Sequence, residues 1–306
     1  MNDVLLHLGG AAFFGTVLRV TTPLLLAALG ALISDRAGVI NIGVEGMMLA
    51  GAFAGVVVSA FTGSAWLGLL GAILVGMALG GVLGLAVHVL RADLVLSGVG
   101  LNLACASGTV MLLYALTGDK GMSGALPSKV LPDIVLPLAG LPVIGPILGP
   151  ILGKQHVLTW MALLAVPCVW LLLTRTPFGL RLRAVGEAPE AAAIAGIRVR
   201  RVQMAALLLS GGFAAAGGAF LSMGYVTWFV GNMSAGRGYV AIAAEVMGGG
   251  SAFGTLAASL VLGAAQALSI SLQGLGLPNE LMQTVPYVVP VVALVLHAMR
   301  RRRPRG

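Results

Sequence analysis

Apolar runs of about 20 residues recur along the whole chain, the length an α-helix needs to cross ~30 Å of hydrocarbon. They fall at 20–34, 43–62, 66–90, 95–117, 156–174, 203–224, 252–273 and 282–299, with a shorter apolar piece at 238–248. Lipid offers no partners to backbone N–H and C=O groups, so such segments must close their hydrogen bonds internally, as helices do. Mean hydropathy is +1.02 and only 9% of residues are charged, which excludes the soluble globular class. The chain is therefore expected to be an all-α, polytopic protein of the cell membrane, a single transmembrane domain over 1–306. About eight or nine transmembrane helices are expected, one of them broken and one a half-helix. The start "MNDVLLHLGG" lacks the basic region of a removable signal peptide. Cys105 and Cys168 both lie in apolar runs, so they read as small buried hydrophobes and not as a disulfide or metal site.

The formal charge of +8 does not point to nucleic acid here, because Lys and Arg of a membrane protein collect on its cytoplasmic side. If the loop at 174–201 and the tail "RRRPRG" are inside, threading the crossings backwards puts Arg36 and Arg91 inside as well. Arg19, Lys120, Lys129, Lys154 and Arg237 are then left near the outer face. Residues 1–18, which carry no Lys or Arg, begin outside. Residues 3–18 read either as an interfacial helix or as a further crossing.

The stretch 174–202 is the one long segment unsuited to lipid. In "TRTPFGLRLRAVGEAPEAAAIAGIRVRR", Pro189 is pre-set for a first helical position, and Glu187 and Glu190 stand where a helix dipole favours anions. Ala191, Ala192 and Ala193 propagate a helix that Gly196 can end. A helix of about two turns is too short to persist alone in water. It is either part of a solvated basic loop or a surface helix held in a partner's groove.

The segment "GLRLRAVGEAPEAAAIAGI" (179–197) resembles the cytoplasmic coupling segment of ABC importer permeases in the ribose, nucleoside and branched-chain amino-acid group. Their pattern runs G-x-x-x-R-A-x-G-x-N/A-x-x-A-A-x-x-x-G-I. "TPLLLAALGALISDRAGVINIGVEGMMLAGAFAG" (22–55) is similar to the N-terminal signature of the nucleoside or simple-sugar branch. "GRGYVAIAAEVMGGGSAFGTLAASLVLGAAQAL" (236–268) and "TVPYVVPVVALVL" (284–296) are similar to its C-terminal half. Together these stretches touch most of the chain except 118–155, where none falls.

The resemblance implies a transport subunit, not an enzyme, with no cofactor of its own. ATP and Mg would be handled by a separate ABC ATPase, consistent with the absence of a G-x-x-x-x-G-K-[ST] phosphate loop here. The helix around Glu187–Ile197 would enter a cleft on that ATPase, flanked by Arg181, Arg183, Arg198, Arg200 and Arg201. Gly186, Pro189, Glu190, Ala191, Ala192 and Gly196 belong to the same coupling element. A second, unlike permease subunit and an extracytoplasmic substrate-binding lipoprotein are the other implied partners. The signature "GVINIGVEG" tilts the substrate towards nucleosides, with simple sugars behind.

Polar groups inside membrane spans are costly and so are candidates for the substrate path. Between Arg36 and Gly63 there are more residues than a straight crossing needs, which allows an unwound piece at Asn41–Gly46. Asn41 and Glu45, four apart, would share a helix face and either line the path or brace the break. The piece at 238–248 is a helix of ~16 Å, about half the bilayer, with Arg237 at its expected outer end and Glu245 inside it. An apolar residue is usual in the family at the position of Glu245. Asn102 and Tyr287 complete the candidate path, and Gln266, Gln283, Trp228 and Asn232 could add hydrogen bonds or a stacking surface. Trp228 also suits an interfacial belt. Gly76, Gly80 and Gly84 have the spacing of close helix packing.

Residues 118–155 form the main extracytoplasmic loop, where six prolines exclude a long helix. Two other classes are weighed. A secondary transporter or channel would need no coupling segment and would want a second buried acid paired with Glu45. An intramembrane enzyme would need H-E-x-x-H or G-x-S-x-G, and neither occurs. His88 and His297 fall at expected cytoplasmic span ends.

Overall fold

In the computed structural model, residues 11–124, 126–135, 153–272 and 288 are described. Seven helices among them are long and apolar enough to cross a membrane. Gln283, Tyr287, His297, the run 282–299 apart from residue 288, and the basic tail lie outside the described residues.

In chain order the helices are α1 (Ala11–Asp35), α2 (Val44–Thr62), α3 (Ala65–His88) and α4 (Leu94–Thr117). After a two-stranded hairpin come α5 (Val157–Arg175), the short α6 (Pro177–Glu187) and α7 (Pro189–Ile194), then α8 (Val199–Phe220). A π-helical turn (Leu221–Tyr225) ends α8, and α9 (Arg237–Met247) and α10 (Ala252–Leu272) follow. The first crossing thus starts earlier than the apolar run suggested, because residues 11–18 continue into the same helix. Pro23 stands inside α1.

α1 and α8 form the middle of the bundle. α1 packs against α8, α10, α9 and α5, while α8 packs against α3, α1 and α2. Leu24, Leu25, Leu29, Leu32 and Ile33 of α1 are fully enclosed. α3 and α4 lie outside, with few of their side chains fully buried, as lipid-facing helices should be. Lipid is as apolar as leucine, so burial of apolar surface cannot hold such helices together. Close packing of small residues does that work. The α3–α8 seam is the clearest case: the Gly76 and Gly211 backbones meet directly, and Gly80 abuts the Leu207 carbonyl. The third glycine, Gly84, meets Met204.

Between α4 and α5, β1 (Asp133–Val135) pairs antiparallel with β2 (Lys154–His156). This short hairpin departs from an all-helical chain but agrees with a loop whose prolines bar a long helix. Lys154 and Asp133 pair at 3.6 Å across it. His156 then caps α5, accepting from the Leu158 amide through Nδ1 at 3.2 Å. Cys105 is buried as expected, whereas Cys168 is exposed on α5, since its helix shows that face to the outside of the bundle.

The seam makes a testable demand. Gly211→Val would place a branched side chain against the Gly76 carbonyl, an overpacking that costs about 1–3 kcal/mol. Its thermal unfolding midpoint in detergent is expected to fall by about 2–4 °C for each kcal/mol lost. Gly100→Val, at a position with open space around it, should leave the midpoint unchanged. Equal shifts for the two variants would contradict the packing account.

Candidate functional site

Of the polar side chains singled out in the sequence, Asn41, Glu45, Asn102 and Arg237 meet where the α1–α2 turn approaches α4 and the start of α9. The chain is not helical from Arg36 to Gly43, and α2 begins at Val44. Asn41 therefore lies in the turn while Glu45 lies in the first turn of α2, so the two do not share a helix face. Asn41 is fully buried, and its Nδ2 donates to Ser210 Oγ on α8 at 2.9 Å. Its backbone amide meets Ser34 Oγ at 3.3 Å, which ties the turn back to the end of α1.

Asn102 uses both ends of its amide. Oδ1 accepts from the Gly46 amide at 2.7 Å, and Nδ2 donates to the Ile42 carbonyl at 2.9 Å. The same Nδ2 lies 3.0 Å from the Tyr239 hydroxyl on α9. A methyl on Gly46 would stand 2.8 Å from the Asn102 Cα, so glycine there is what lets α4 come close enough. Asn102 is eight residues beyond Leu94, about 12 Å of helical rise from that end of α4. The cluster thus lies nearer the end of the bundle carrying Arg36 and Arg91 than the end at Thr117.

Glu45 makes the strongest link. Its Oε1 accepts from the Gly236 amide at 2.8 Å and its Oε2 from the Gly238 amide at 2.7 Å. These are amides at the start of α9, where unpaired N–H groups and the helix dipole favour an anion. Charge-assisted bonds of this kind contribute more than neutral ones. Arg237, between these two glycines, consequently stands beside Glu45. Its NH1 donates to the Met233 carbonyl at 2.9 Å.

Glu245, further along α9, is 4% exposed and lies within electrostatic reach of Asp35 and Arg36. Trp228 and Asn232 lie in the connection before α9, both exposed. Gln266 is half-buried on α10. Two contributors escaped the sequence reading. Tyr239 is 48% exposed and offers its hydroxyl beside Asn102; an aromatic within an expected half-helix was the available signal. Ser210 has none beyond being polar in an apolar run.

The 174–202 segment is more structured than expected. Thr176 caps α6, accepting from the Gly179 amide at 3.1 Å, and Pro177 occupies the first helical position. That Thr-Pro pair was a legible start signal. Ala188 breaks the helix, Pro189 opens α7, and Gly196 in a left-handed conformation (φ +83°) follows it. Arg181, Glu187, Pro189, Glu190 and Ala191 are exposed, Arg183, Gly186 and Ile197 are half-buried, and Ala192 is 5% exposed. Ala192 thus packs inward against its own chain. The apolar side chain that protrudes is Ile194, 90% exposed.

The chain matches the family described as the permease component of branched-chain amino acid transport systems over residues 13–294, and it belongs to that family. It is 35% identical to a putative glucose ABC transporter permease protein of Haloferax volcanii, covering 96% of this chain and 94% of that one. It is 34% identical to a guanosine ABC transporter permease protein of Bacillus subtilis, over 93% and 91% of the two chains. A nucleoside ABC transporter permease protein of Lactococcus lactis subsp. cremoris is 31% identical over 95% and 93%. No solved structure matches the chain significantly. The protein is accordingly a multi-pass protein of the cell membrane and a transport component, not an enzyme.

The carboxylate clamp can be tested directly. Glu45→Gln keeps one acceptor but loses the charge and the second amide contact, a cost of about 1.5–3 kcal/mol. Differential scanning fluorimetry of the purified protein should give a lower unfolding midpoint for this variant. An unchanged midpoint would mean that Glu45 does not hold α9.

Proposed function

We propose that this chain is the permease subunit of an ATP-driven ABC importer for nucleosides, with simple sugars as the second candidate substrate class. The observation that carries the reading is the α6–α7 excursion, an ordered amphipathic pair of short helices that presents Ile194 and a fringe of Glu and Arg to the exterior. An apolar side chain so exposed, rimmed by charge, suits a groove on another protein. The occupant of this reading is a separate ABC ATPase, which binds ATP and Mg and draws on α7 when it closes. Glu187, Glu190, Ala191 and Ile194 form the contact. Ala192 instead holds α7 to the rest of the chain.

The nucleoside assignment takes its support from the relatives named as guanosine and nucleoside permeases, and the sugar alternative from the one named for glucose. An uncharged ribosyl substrate needs hydrogen-bond partners and no deep ionic well. Tyr239, held beside Asn102, supplies a hydroxyl and an aromatic face on the exposed side of α9. In this reading α9 is a half-helix: eleven residues rise about 16 Å, and the 226–236 connection makes up the rest of the crossing. Substrate passes along the surface formed by α9, α4 and the α1–α2 turn, closed on its other side by a second, unlike permease subunit. An extracytoplasmic lipoprotein delivers it to the face formed by residues 118–135 and the β hairpin. Asn41 and Glu45 act in this scheme as braces of the path and not as its lining.

Ile194→Asp tests the docking surface without disturbing internal packing. The variant should reach the membrane in normal amount, lose copurification with the ATPase and transport no substrate. Normal transport by this variant would remove the coupling assignment.

A further inference from the structure

α9 is gripped at both ends by one ten-residue stretch of chain, Arg36–Glu45. At its start, Glu45 accepts from the Gly236 and Gly238 amides at 2.8 and 2.7 Å. Beyond its end, the Arg36 Nε donates to the Gly250 carbonyl at 2.7 Å, and a second guanidinium nitrogen of Arg36 contacts the same oxygen. Glu245, buried in α9, lies within electrostatic reach of Arg36 and of Asp35 at the end of α1.

The same stretch touches the cytoplasmic excursion. Gly186, near the end of α6, lies backbone against backbone on Arg36 and Gly38. A methyl on Gly186 would collide with the Arg36 carbonyl, and one on Gly38 would stand 3.2 Å from the Gly186 Cα. No side chain intervenes, so there is no rotamer to absorb a displacement. The turn is itself stiff: Gly38 N bonds to the Asp35 carbonyl at 2.8 Å, and the Ala37 and Val39 amides both bond to the Ser34 carbonyl at 3.1 Å. Gln203 Nε2, near the start of α8, donates to the Ala37 carbonyl at 3.2 Å.

We propose that residues 34–45 are a transmission element: Gly186 pushes on Arg36–Gly38, and the turn moves α9 as a rigid piece through Arg36–Gly250 at one end and Glu45 at the other. Arg36 is a positioning residue for transport, touching neither ATPase nor substrate. The proposal rests on the reading that α7 docks an ATPase, and it adds where the stroke goes next. It also accounts for an arginine that leaves the bundle end to bond a carbonyl across the chain.

The test uses the complete importer, with ATPase and binding protein, in proteoliposomes supplied with tritiated guanosine. Arg36→Met removes both donors to Gly250 while keeping an unbranched apolar stem. It should keep the ATPase bound and ATP hydrolysis near wild type while uptake falls about tenfold, the scale on which changes along such a path alter coupling. Arg36→Lys, which keeps one donor, should recover most of the uptake. A failure of docking itself looks different, because Ile194→Asp then loses no ATPase association. Wild-type uptake by Arg36→Met overturns the proposal, as does loss of the ATPase from that variant, which would place Arg36 in the docking surface. If Arg36→Met does not reach the membrane, Arg36→Gln is measured instead. Failure of both to insert assigns Arg36 to folding alone and also overturns it.

Discussion

The carboxylate of Glu45 on the first amides of α9 is the interaction that the candidate site depends on. A helix that starts inside a bundle exposes N–H groups that lipid cannot satisfy, and an unmet buried group costs several kcal/mol. The chain answers with an anion from a neighbouring helix, set where the dipole favours it. That choice fixes the depth of α9, brings Tyr239 against Asn102 and forces the preceding connection to return into the bundle. Asn102 repeats the logic on a smaller scale by satisfying Gly46 and Ile42, backbone groups that the α1–α2 turn leaves open.

Around this polar knot the bundle is held by closeness. Gly76, Gly80, Gly211 and Gly46 let backbones meet where a side chain would keep them apart. Rigid seams of this kind make plausible carriers of motion, because closely packed backbones pass a displacement on without absorbing it. The Gly186 contact with the α1–α2 turn belongs to the same class, although it joins the α6–α7 excursion to the bundle and not two spans to each other.

Much of the fold was legible in the sequence because its cause is one-dimensional. A run of apolar residues long enough to cross hydrocarbon reports a helix wherever it lies, and the runs beginning at 43, 66, 95, 156, 203 and 252 all became helices close to their expected limits. Local chemistry was legible too: Pro189 and Gly196 mark the ends of α7 as read. What escaped depends on contacts between distant segments. That Glu45 would bind the amides on either side of Arg237 was not readable, because charge and order alone say nothing of which distant segments meet. Ala192 was read only as part of the coupling element, because a six-residue helix has too little sequence to declare which side turns inward. The spacing of Asn41 and Glu45 misled for a related reason: four residues apart implies one face only if the intervening chain is helical, and here the helix begins at Val44. α6 was missed although Thr176 and Pro177 announced it.

The central claim is that motion in this chain is driven from outside it by ATP hydrolysis on a docked subunit. Uptake of tritiated guanosine into proteoliposomes measures this most directly, comparing the permease with and without its ATPase and with ATP against a non-hydrolysable analogue. The account predicts uptake only when the ATPase, its binding protein and hydrolysable ATP are all present. Uptake by the permease alone, driven by a proton or sodium gradient, would contradict it.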